Sequence, residues 1–225
     1  MKRKIKCYMA YTTFLYRLMG VVLIPCAFWL LCMYLLWSKY GGFMGIGQSF
    51  AEEIFPHPLC FLVSAYIITY EIFTDHWVLG GCFSDAGKGL RYFRTSRSGV
   101  EVMRNIALVD LFRRFLYCMI FSAIVFVTTG WKPAIVMGLA MYCVIVGILN
   151  GSRHIDGLQR GAGLAFLAQI GMSIVNVINV VLIDLAGGGK MIMLVFLAVL
   201  YCAAALCVSG LMIRRITVRV RGLKD

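Results

Sequence analysis

From Met191 to Ile213 the chain runs 23 residues without one charged side chain. A stretch that apolar and that long is read as a helix crossing a bilayer, because about 20 residues at 1.5 Å rise span a hydrocarbon core of about 30 Å. Five more windows approach the same criterion: Leu18 to Trp37, Pro58 to Thr74 with a possible extension to Phe83, Phe115 to Trp131, Pro133 to Leu149, and Ala162 to Ala186. Gly and charged clusters separate them, including Ser38-Lys39-Tyr40-Gly41-Gly42, Gly151-Ser152-Arg153-His154 and Gly187-Gly188-Gly189-Lys190. Gly130-Trp131-Lys132-Pro133 is the tightest of these breaks and predicts a hairpin between its neighbours.

Composition excludes the soluble alternatives. Of the 225 residues 61% are hydrophobic and 14% charged, against about 25% charged in an ordinary soluble domain. Mean hydropathy is +0.87. The reading is an all-α integral membrane protein of six transmembrane helices, forming one domain over residues 1–225. The start Met1-Lys2-Arg3-Lys4-Ile5-Lys6 is basic like a signal peptide, but its apolar continuation is too long for one and no small-x-small site follows. We read it as part of a retained first helix.

The net charge of +12 would suggest nucleic acid in a soluble protein. With six spans and both termini cytoplasmic, 19 of the 22 Lys and Arg fall inside, leaving Lys39, Lys132 and Lys190 outside. Cytoplasmic loops concentrate Lys and Arg for this reason. Topology therefore explains the charge and no nucleic acid is needed, although anionic lipid is a natural neighbour of these residues. Trp37, Trp77 and Trp131 suit the interfacial belt, whereas Trp29 falls within a span and should pack on a helix or on lipid. Nine cysteines with no CxxC pair, mostly inside apolar runs, read as small buried hydrophobes.

The segment from Asp75 to Arg114 is too long for a turn. Ser98 with Glu101 three residues later forms a capping box that predicts a helix start. Within that helix Asp110 stands at i, i+3 and i, i+4 from Arg113 and Arg114, a spacing that allows ion pairs as the helix enters the headgroups. Ahead of it, in the run Leu90, Arg91, Tyr92, Phe93, Arg94 to Arg97, Leu90 and Phe93 fall on one side at i, i+3, with Arg91 and Arg94 on another. The residues suit either a docking element with exposed aromatics or an amphipathic loop on anionic lipid.

Taken with the basic N-terminal segment and the apolar layout, the run Lys88-Gly89-Leu90-Arg91-Tyr92-Phe93-Arg94-Thr95-Ser96 followed by a helix resembles permease subunits of ABC-2-type exporters. The resemblance implies that Leu90 to Arg97 is a coupling helix seated in a groove of a separate ATPase subunit. It implies that Lys2 to Arg17 is an interfacial elbow helix. The expected function is then a permease that pairs with a second copy or a paralogue. It would move an amphipathic peptide, lipid or drug across the plasma membrane by alternating access. This chain would hold no cofactor, and ATP and Mg would bind the partner ATPase. Consistent with that, Gly87-Lys88 fails as a phosphate loop because Cys82 and Gly89 replace its first glycine and its Ser/Thr.

Polar residues inside apolar windows are the other candidates. Gln169, Ser173, Asn176 and Asn179 fall on one helical face, either as interhelical hydrogen-bonding glue or as the lining of a substrate path. Glu71 is a carboxylate near the cytoplasmic end of its window. An enzymatic alternative, a membrane cysteine endopeptidase, would use His76 and Cys82, but no orienting third group is evident. A third alternative is a regulatory or substrate-binding membrane subunit with no path of its own. Glu52 and Glu53 near His57 read as solvated charges of an external loop.

Overall fold

The structure is a computed structural model. It describes residues 2–11, 98–129, 132–152 and 191–221, with isolated helical positions at Phe14, Leu18, Val22, Cys26, Trp29, Leu30, Ile67, Ile174, Ile178, Leu182, Ile183 and Leu185. The continuous segments are four helices: α1 (Lys2–Tyr11), α2 (Gly99–Thr129), α3 (Ala134–Ser152) and α4 (Met191–Arg221).

The six-span expectation needs correction. Among the described residues one helix is long and apolar enough to cross a membrane, the Met191–Val218 part of α4. The window from Phe115 belongs to a helix that starts sixteen residues earlier and carries Glu101, Arg104, Asp110, Arg113 and Arg114 in its first half. What remains after Arg114 is about 22 Å long at 1.5 Å per residue, short of the roughly 30 Å core. In α3 the apolar stretch Ala134–Gly147 is shorter still. The windows at Leu18 to Trp37, Pro58 to Thr74 and Ala162 to Ala186 lie outside the described residues, apart from the isolated positions. Trp29 is 62% exposed.

Local chemistry explains the helix ends. α2 begins at Gly99, immediately after Ser98, and the Val102 amide donates to the Ser98 carbonyl at 3.0 Å to close the first turn. Glu101 sits in that turn, where a negative charge meets the positive end of the helix dipole. The Gly130–Pro133 break separates α2 from α3, as the hairpin reading expects. Pro133 stands just ahead of Ala134, where its missing amide costs nothing, and its carbonyl accepts from the Met137 amide at 3.0 Å.

Packing then fixes directions. Ser122 of α2 bonds the Ala134 carbonyl at the start of α3, and Phe115 stacks edge-on against Tyr142 with ring centroids 5.5 Å apart. The two helices are therefore antiparallel. Val136 and Ala140 cluster with Leu194, Leu197 and Ala198, and Cys143 reaches the Tyr201 carbonyl at 3.5 Å. Thus α4 runs parallel to α3. Helix α1 packs on α2 and buries Tyr8.

At Gly138 α2 and α3 pack closely. A Cβ there would lie 2.7 Å from the Ser122 Cβ and 2.9 Å from the Cys118 carbonyl oxygen. Only glycine lets the two backbones approach this far.

Candidate functional site

Helix α2 turns one face to the interior at three- and four-residue spacing: Met103, Ile106, Ala107, Asp110, Arg114, Cys118, Phe121, Ser122 and Val125. Two of these are charged. Asp110 and Arg114 are both fully enclosed, and Arg114 Nη2 lies 2.8 Å from Asp110 Oδ2. The other carboxylate oxygen accepts from Arg113, at 3.3 Å from Nε and 3.1 Å from Nη2. Arg113 also stands 5.3 Å over the Tyr117 ring, a cation–π contact one turn further on. One carboxylate thus holds two guanidiniums.

The sequence reading has these ion pairs easing α2 into the headgroups, at a surface. The structure encloses Asp110 and Arg114 in the core instead, where each of these two charges loses its water and depends on its partner, while Arg113 stays part-buried. Tyr142 on α3 shares a 2.8 Å hydrogen bond between its hydroxyl and Ser209 Oγ of α4. The Tyr142–Ser209 hydrogen bond joins α3 to α4 across the apolar core.

The outside of the same bundle is apolar. On α2, Phe112, Leu116, Ile120, Phe126 and Val127 are exposed; on α4, Ile192, Val199 and Leu206 are 85%, 63% and 76% exposed. Charges inside and large hydrophobes outside invert the arrangement that water selects. An apolar surround receives exposed apolar side chains freely and offers nothing to an unpaired charge.

Tyr142 and Ser209 are missing from the sequence-derived candidates, though a signal exists for both. Each is a hydroxyl in an otherwise apolar run, and such groups inside a membrane seek one another. The cysteine expectation holds only in part. Cys118 is buried and Cys143 half-buried, but Cys26, Cys202 and Cys207 are exposed. Among the described residues no three His, Cys, Asp or Glu side chains gather in a way that could hold a metal ion.

The remaining candidates lie outside the described residues. These are the coupling segment Leu90, Arg91, Tyr92, Phe93, Arg94 and Arg97, the stripe Gln169, Ser173, Asn176 and Asn179, and the single carboxylate Glu71. The same applies to His76, Cys82, Glu52, Glu53 and His57. No family model matches the sequence, and neither a curated protein nor a solved structure matches it.

Proposed function

We propose that the chain is the membrane-embedded permease subunit of an ATP-driven exporter, with ATP hydrolysed by a separate cytoplasmic subunit. The observation that carries this reading is the unbroken course of α2. Its 31 residues extend about 46 Å at 1.5 Å per residue. It starts at Gly99, two residues beyond the Leu90–Arg97 segment, and its far end packs into the hairpin with α3. A push on its loop end would reach the hairpin without a joint to absorb it.

The inverted polarity of the bundle supports a place in lipid for the hairpin as well as for α4. The Met191–Val218 part of α4 supports one crossing of the membrane. In this reading Leu90, Tyr92 and Phe93 dock to the ATPase while Arg91, Arg94 and Arg97 keep the loop soluble. Gln169, Ser173, Asn176, Asn179 and Glu71 line or border the substrate path. A second copy or a paralogue completes it, and the cargo is an amphipathic peptide, lipid or drug.

The test is co-purification from membranes. Interface aromatics commonly cost about 2 kcal/mol or more when truncated. Phe93→Ala should strip the ATPase subunit, and Arg91→Gln should weaken it less. Equal retention of every partner and unchanged ATP hydrolysis in Phe93→Ala would remove the proposal.

A further inference from the structure

We draw no further inference here: the strongest candidate, the exposed apolar face of α4 with the small residues Ala203, Cys207 and Gly210 along it, carries nothing because nothing in the structure shows what covers it.

Discussion

Asp110 and Arg114 stand one helical turn apart with 2.8 Å between their charged atoms, and neither side chain reaches the surface. The pair belongs to one helix, at i, i+4, so its spacing is set by the helix itself, whereas its burial comes from packing.

Removing one member should cost far more than removing both. Asp110→Asn leaves Arg114 enclosed without its carboxylate, which should destabilise the protein by about 3–5 kcal/mol. The double change D110L/R114M should recover most of that loss, since apolar residues of similar volume often replace a buried ion pair at little cost. Unfolding of the purified protein in detergent measures both. A double variant no more stable than Asp110→Asn would show that the pair has a further structural role.

Gly138→Ala should destabilise the hairpin by about 1–3 kcal/mol, the usual range for overpacking. The added methyl would meet Ser122 Cβ and the Cys118 carbonyl at under 3 Å. Ser122→Gly in the same chain should restore part of the loss by removing one of the two obstacles. Gly147→Ala is the internal control: nothing lies within 4 Å of a Cβ there, so it should be neutral or mildly stabilising.

Tyr142→Phe removes the hydroxyl that meets Ser209 and keeps the ring that meets Phe115. A loss of about 0.5–1.5 kcal/mol is expected, near the average for hydrogen bonds between membrane helices. Ser209→Ala should cost about as much, and the two together little more than either alone. Additive losses in that cycle would mean the two hydroxyls act separately.

Thiol labelling separates lipid-facing from enclosed positions. Cys202 and Cys207 are exposed on the apolar side of α4, and Cys118 is buried between α2 and α3. In intact membranes, single-cysteine versions retaining Cys202 or Cys207 should react with a lipid-soluble maleimide and resist a charged one. A chain retaining Cys118 alone should react with neither until unfolded. Rapid reaction of Cys207 with the charged reagent would place that part of α4 in water.

Much of this was legible along the chain. The uninterrupted apolar run of α4, the Ser98–Glu101 start of α2, the Gly130–Pro133 break and the i, i+3 and i, i+4 contacts of Asp110 depend on neighbours a few residues away. Hydropathy, capping and helical spacing act over that range, so the residues alone determine them. The number of spans was not legible, because apolarity marks a buried segment and a lipid-facing one alike. Among the described residues one helix keeps a full-length apolar span. The tertiary structure alone decided that Asp110 and Arg114 lie inside, that Gly138 sits against Ser122, and that Tyr142 finds Ser209 sixty-seven residues away. Each of these depends on which faces of separate helices meet, and the periodicity of a single helix cannot specify its partner.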